Sequence, residues 1–266
     1  MPWLARLTDR YLFTGRLVLE SGLHIGGGRD MLTTTDSAVM KSIDERPFIP
    51  GSSMKGVFRS AVERVAASLP SVRSCGLFAG NDPRCPTPHH TEDKDTVVNE
   101  DFFKELCDTC HVFGSPFMAA KVRFSDLAVI PATWAGLTEV RDGVGIDRDS
   151  ERAVDRIKYD YEVVPSETEF AFRLLLENPD PAHHELGLMA VGLREFEAGM
   201  IAIGGIRTRG LGRCRLHDLS IYHLDFRDAT KFKTYLKGGQ LEVETFKLSE
   251  NKTKSLLDDA IDGLFG

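Results

Sequence analysis

The sequence has no apolar run approaching the ~20 residues that a membrane helix needs. Its opening, MPWLARLTDRYLF, is broken by Arg6, Asp9 and Arg10 and lacks the uninterrupted apolar stretch of a secretion signal. The expectation is a cytoplasmic protein that does not enter a membrane. Cysteine is scarce, with 5 among 266 residues. Without a secretory signal these do not read as a disulfide framework, which leaves metal ligation or simple burial. A positive balance is lacking too, because 33 Lys+Arg face 40 Asp+Glu for a formal charge of −7. That is awkward for a nucleic-acid binder. Net charge describes the whole surface, however, and phosphate contacts need only a local basic face.

What is present suits a folded protein: 42% hydrophobic and 27% charged residues, in a chain long enough for one large domain or two small ones, with ample length for a hydrophobic core. Residues 11–25 read as a strand, broken by Gly26-Gly27-Gly28. Residues 29–50 read as a loop. A helix follows, with Ser52 or Ser53 as its N-cap and Met54, Val57, Phe58, Ala61, Val62 and Val65 on one buried stripe. Lys55 and Arg59 lie off that stripe, four apart. Residues 69–119 read as an irregular insertion, followed by a strand near 121–130 and a charge-dense segment near 138–156. Ile157, Tyr159, Tyr161 and Val163 alternate with polar residues as a half-buried strand, and Phe170–Leu176 reads as its partner. A helix over 185–199, short strands at 201–203 and 215–223, and a last helix with Leu257, Ile261 and Leu264 complete the reading. Without insertions the order is β, α, β, β, α, β, an α+β ferredoxin-like core of the kind RNA-recognition domains use.

Four segments can carry chemistry. Gly204-Gly205-Ile206-Arg207-Thr208-Arg209-Gly210-Leu211-Gly212-Arg213-Cys214-Arg215 is the most basic stretch of an acidic chain. Glycine lets backbone N–H groups approach an anion, and arginine forks onto phosphate oxygens. Ile49 to Arg59 opens a helix at a glycine–serine turn, whose free N–H groups favour an anion. It is not a P-loop, because Val57 and Phe58 replace the required lysine and Ser/Thr. The alternative is an ordinary capped helix with two solvated cations. Cys107 and Cys110 form a CxxC pair, with Cys75 and Cys85 upstream. Four thiolates suit a tetrahedral structural Zn²⁺, and His89, His90 or His111 could replace one cysteine. Cys214 stands apart. Finally, His24 precedes a glycine turn that leads to Asp36, which spacing alone does not distinguish from a loop-capping aspartate. His217-Asp218 and His183-His184 have no metal-ligand set or motif around them.

Taken in order, Leu23–Gly28, Asp36–Val39, Ile49–Ser60, the CxxCxxFGS of Cys107 to Ser115, Val144–Ala153 and Gly204–Arg215 resemble one family. The likeness is to the repeat-associated RAMP proteins, and among them to the backbone subunits of type III CRISPR effectors. It spans about residues 11–216. The resemblance implies a single RAMP domain over residues 1–266, with core about 11–68, 120–137 and 157–223. It further implies a zinc-bearing insertion over 69–119, a thumb over about 138–156 and a C-terminal extension over 224–266. Such subunits stack, with copies of themselves and other RAMP subunits, as a filament along a CRISPR guide RNA, beside a large signature subunit. The thumb displaces nucleotides of a complementary single-stranded target RNA at regular intervals. Asp36, before Ser37-Ala38-Val39, matches the position of the cleaving aspartate, with Asp30 as its rival. The implied chemistry is attack by the 2′-OH on the neighbouring phosphate, assisted by Mg²⁺ or another divalent ion. The resemblance assigns RNA contacts to His24, Gly26, Gly27, Ser53, Lys55, Arg59, Arg207, Arg209, Gly210 and Arg213, and zinc to Cys75, Cys85, Cys107 and Cys110. A non-cutting backbone subunit is the alternative. Processing of precursor guide RNA through His24, or an unrelated zinc protein, would be further readings.

Overall fold

The computed structural model describes residues 6–27, 36–77, 81–87 and 100–266, with the side chains of residues 100 and 154–157 left aside. Strand β1 (Asp9–Leu19) leads to β2 (Phe48–Ile49) and helices α1 (Gly51–Ala66), α2 (Glu100–Glu105) and α3 (Asp108–Phe113). Strands β3 (Val122–Phe124), β4 (Leu127–Ala128), β5 (Glu139–Ile146), β6 (Ala153–Val163) and β7 (Glu169–Glu177) follow. Helix α4 (Glu185–Glu197), β8 (Cys214–Asp225), α5 (Ala229–Gly238) and α6 (Glu250–Asp262) come last. The main sheet has the order β3-β7-β1-β8, and all its pairings are antiparallel. The architecture is α+β.

On β7, Phe170, Phe172, Leu174 and Leu176 alternate with polar residues and are buried, which turns one face of the sheet to the core. Helices α1 and α4 pack on that face. Phe58 of α1 is the hinge of the packing: its ring centroid lies 5.8 Å from Phe196, 5.2 Å from Phe124 and 6.1 Å from Phe113. Gly192 makes room on α4, since a Cβ there would stand 2.2 Å from the Phe58 ring. Lys121 and Glu185 tie β3 to α4 through a buried ion pair of 2.7 Å. On the opposite face Leu12, Leu224, Leu241 and Phe246 form a second apolar cluster, covered by the segment after β8. Leu257 and Leu264 of the tail join the main core. Residues beyond 224 are therefore a structural cover, a role their sequence did not announce. Among the described residues no helix is long and apolar enough to cross a membrane.

Several local expectations need correction. Strand β1 ends at Leu19, not residue 25, because the chain crosses β6 there: a Cβ on Gly22 would lie 2.5 Å from Val163. The stretch 121–130 is two short strands in different sheets. Residues 157–163 do not pair with 170–176. They belong to β6, which pairs with β5 as a separate two-stranded ribbon, while β7 pairs with β1 and β3. The polar segment 138–156 is thus the outer part of an ordered hairpin, with Gly143 opposite Tyr159. Residues 201–203 make only one bridge, Ala202 to Arg213. Neither Ser52 nor Ser53 caps α1. Pro50 takes the cap position without a side-chain bond, and Gly51 N–H donates to Asp126 Oδ1 at 2.7 Å. A Cβ on Gly51 would stand 2.5 Å from the Phe124 carbonyl oxygen, so glycine lets α1 start against β3.

Candidate nucleic-acid interface

The glycine turn after β1, the Asp36 segment and the Gly-rich loop meet at the inner end of the β5–β6 ribbon. Leu23 bridges Val164, with N–O distances of 2.8 and 2.9 Å. His24 is buried, at 7% exposure. Its Nδ1 lies 2.7 Å from the Glu162 carbonyl, which can only accept, so Nδ1 carries the proton. Nε2 is then free to accept from the Ser37 hydroxyl at 3.3 Å. The Tyr161 ring stands edge-on to the imidazole at 5.7 Å, and the His24 carbonyl accepts the Gly205 N–H at 2.8 Å. Gly204 has φ +77°, and a Cβ there would lie 2.3 Å from the His24 oxygen, so this approach requires glycine. Gly26 pairs with Val39, and Gly27 N–H donates to Ala38 O at 3.0 Å.

Asp36 is exposed and docked on the ribbon. Its N–H donates to Asp160 Oδ1 at 2.6 Å, and Asp160 N–H returns a bond to Asp36 Oδ2 at 3.1 Å. Ser37 pairs in parallel with Tyr161. The Glu162 carboxylate accepts Val39 N–H at 3.1 Å and pairs with Lys41 at 3.3 Å. Residues 36–41 are thus zipped onto β6. Gly28 and Asp30 lie outside the described residues.

In the Gly-rich loop, Arg207–Arg209 form one short turn flanked by Ile206 at φ 57° and Gly210 at φ 90°. Arg209 donates to the Tyr159 hydroxyl, and its guanidinium lies 5.9 Å from that ring's centroid. Arg207 is exposed, with one nitrogen 3.5 Å from Ala202 O. Arg213 and Arg215 both reach Glu20, at 3.1 and 2.9 Å, so part of the loop's charge is spent within the fold. Gly56, Val57, Ser60 and Arg64 of α1 face Met200–Ala202, Arg207 and Thr208 across a groove of about 540 Å³. Ser53 is exposed in the first turn of α1. Lys55 is half-buried, and burial, helped by Arg59, lowers its pKa from the usual lysine value.

Arg59 does not sit on an exposed face. Its side chain is 13% exposed and bonded within the protein: Nε to Glu63 Oε1 at 2.7 Å, Nη1 to Gly114 O at 2.9 Å and Nη2 to Cys110 Sγ at 3.8 Å. The last contact leads to the cysteine cluster. Cys75, Cys85, Cys107 and Cys110 are each 0% exposed, and their sulfurs lie within 4.8 Å of one another. Cys75 and Cys110 Sγ are 3.6 Å apart. Four sulfurs about 2.3 Å from a tetrahedral ion would be spaced by about 3.8 Å, so the donor set fits Zn²⁺ in chemistry and spacing. Hydrogen bonding among the four thiols divides them: it pulls the Cys107 thiol down to about 6 and lowers Cys85, while it raises Cys75 and Cys110. A small apolar cluster of Phe102, Leu106 and Met118 surrounds the sulfurs. His111 is not a fourth ligand; it stacks on His183 with centroids 3.6 Å apart. His89 and His90 lie outside the described residues. Cys214 is buried in the main core, where desolvation pushes its thiol up to about 12.

Sequence reasoning missed Tyr159, Asp160, Tyr161 and Glu162 as site residues. Their alternation was visible, but it read as a strand of the core rather than a ribbon presenting both faces. Two acids and two tyrosines alternating on a strand that leaves the main sheet would have been the signal.

Comparison with known proteins identifies the family. The family model described as the RAMP superfamily matches residues 16–215. A protein named CRISPR system Cms endoribonuclease Csm3 from Methanocaldococcus jannaschii is 23% identical over 278 residues, covering 98% of this chain and 96% of its own. Proteins of the same name from Methanothermobacter thermautotrophicus and Streptococcus thermophilus are 24% and 26% identical, covering 81% and 78% of this chain and 87% of each relative. The matched span holds the end of β1, the Asp36 segment, α1, the cysteines, the ribbon and the Gly-rich loop, and the chain belongs to the RAMP superfamily.

Proposed function

We propose that this chain is a cytoplasmic, guide-RNA-binding backbone subunit of a type III CRISPR ribonucleoprotein, and that it cuts complementary single-stranded target RNA with Asp36 as the cleaving carboxylate. The observation that carries the reading is the docking of exposed Asp36 on the ribbon, beside His24 and the arginine loop. Relatives named as CRISPR endoribonucleases, aligned over most of their length, support it.

In this reading the β5–β6 ribbon is the thumb. Val140, Val144 and Ile146 are 51–64% exposed on it, an apolar surface suited to lie against bases. Arg207, Arg209, Arg213, Lys55, Ser53 and the glycine turns at Gly26, Gly27 and Gly210 line the path of the guide backbone. Repetition of the subunit along the guide, with other RAMP subunits and a large signature subunit, would set a regular cutting interval. The target 2′-hydroxyl attacks the adjacent phosphorus, a 2′,3′-cyclic phosphate forms, the P–O5′ bond breaks, and the 5′-oxygen takes a proton from water. Asp36 takes the hydroxyl proton. The carboxylate oxygens of Asp36 and Asp160 are donors of the type Mg²⁺ prefers, and an ion there would neutralise charge on the reacting phosphate. His24 holds the Asp36 segment to β6 through Ser37 and Glu162. The four cysteines hold a structural Zn²⁺ that orders the 69–119 insertion.

The test is a complementary target carrying one 2′-deoxynucleotide at a cleavage position, offered to the assembled complex with Mg²⁺. Cleavage should vanish at that position alone. Cutting that ignores the deoxy substitution would refute the mechanism, and no cutting of any target would leave a binding scaffold.

A further inference from the structure

We infer that Arg59 is the counter-cation of the cysteine-held metal and a strut between that metal and α1, rather than a contact for RNA phosphate. The inference deepens the zinc reading proposed above and rests on it.

Four thiolates around a divalent ion leave a net charge of −2, and here all four sulfurs are fully buried. Buried charge without a partner is costly, so the cluster needs a cation close by. Arg59 is itself paired with Glu63, and what sets it apart from the other cations nearby is its reach to a sulfur. Arg73 binds Asp82 at 2.8 Å and the Glu105 carbonyl at 2.9 Å, and Arg84 also reaches Asp82. Lys121 is held by Glu185. Among the described residues, Arg59 is the cationic side chain whose nitrogen reaches a cluster sulfur, Cys110 Sγ. Its geometry is fixed on three sides. Glu63 holds Nε from the same helix, Gly114 O takes Nη1, and the guanidinium lies 5.9 Å from the Phe113 ring. Gly114 caps α3, the helix that carries Cys110, so one side chain joins α1 to the ligand-bearing helix. Gly114 itself is constrained: its φ is +82° and a Cβ would stand 2.8 Å from Ala120 N. A guanidinium so engaged has little left for a phosphate. Lys55, one turn earlier and half-buried, is better placed for RNA than Arg59.

The test compares metal affinity in the full-length chain, by competition for Zn²⁺ with a chromophoric chelator. Co²⁺ substitution checks in parallel that thiolate-to-metal charge-transfer absorption persists. Arg59→Met and Arg59→Gln should each weaken Zn²⁺ binding by about 10- to 100-fold, the usual effect of losing a group behind a metal ligand. Arg59→Lys, which keeps the charge, should recover most of that loss. Ser52→Ala, which alters α1 at its exposed start and makes no contact with Arg59 or a cluster sulfur, should stay within about twofold of wild type. A merely structural role would make Arg59→Gln and Arg59→Lys behave alike, and that result overturns the proposal. So does wild-type affinity in Arg59→Met. Wild-type protein that holds no Zn²⁺ by elemental analysis would sink the zinc reading itself, a failure separate from the first two.

Discussion

Replacing Asp160 by alanine removes Oδ1, the acceptor that holds the Asp36 N–H at 2.6 Å, while the return bond from Asp160 N–H survives because it is backbone. The lost bond has a charged acceptor, worth about 1.5–3 kcal/mol, and solvent exposure places it near ~1.5. About 1.4 kcal/mol is a factor of ten in an equilibrium, so the docked arrangement of Asp36 should become roughly tenfold rarer. Single-turnover cleavage of a complementary RNA by the assembled complex should fall by about that factor, with guide affinity in a mobility-shift assay unchanged. Asp160→Asn keeps an oxygen at the same place and gives up only the charge assistance, a loss of roughly threefold. Alanine without effect would refute the claim that Asp160 positions Asp36. Asparagine as damaging as alanine would show instead that the negative charge of Asp160 is itself used, as expected of a ligand for the divalent ion, beyond its hydrogen bond to Asp36.

Three further outcomes follow from the fold. Lys121→Met leaves the Glu185 carboxylate buried without its cation, at a cost of about 3–5 kcal/mol; calorimetry should show Tm lowered by roughly 6–15 °C. Burial already raises the Glu185 carboxyl pKa and Lys121 opposes the rise, so the variant's folded value rises further. Its stability is then fullest below the ordinary carboxylate pKa and falls as pH rises through the folded value, so the Tm deficit should shrink on acidification. Cys107→Ser or chelation of metal should expose the segment around Phe102 and Met118 to limited proteolysis while the main sheet, with its own core, stays protected. Gly212→Ala places a Cβ 1.9 Å from Ile203 O at φ +79°, so the Gly-rich loop must shift; stability should drop by at least ~1 kcal/mol in chemical denaturation, and RNA binding should weaken with it.

Much of this arrangement was legible because it rests on local rules. The stripe of Met54, Phe58, Ala61 and Val62 gave α1, and the alternation from Phe170 to Leu176 gave β7, since period alone decides which face is buried. The four cysteines were legible as a set because CxxC spacing brings two sulfurs together whatever the fold. What escaped depends on contacts distant in sequence. The partner of β6 is chosen by register with β5, not by its own alternation. The direction of Arg59 is set by Gly114 and Cys110, both more than a helix away. The cap of α1 comes from Asp126, which no inspection of residues 50–53 could supply. Asp36 could be selected only by the family resemblance, since a lone acid carries no signature until Asp160 and His24 are placed around it.

The most direct measurement is cleavage of complementary RNA by complexes assembled with wild-type subunit or with Asp36→Ala, each with and without Mg²⁺. The account predicts a regularly spaced ladder from wild type that needs the ion and disappears in Asp36→Ala, while guide and target RNA remain bound. A ladder that persists undiminished in Asp36→Ala would contradict it.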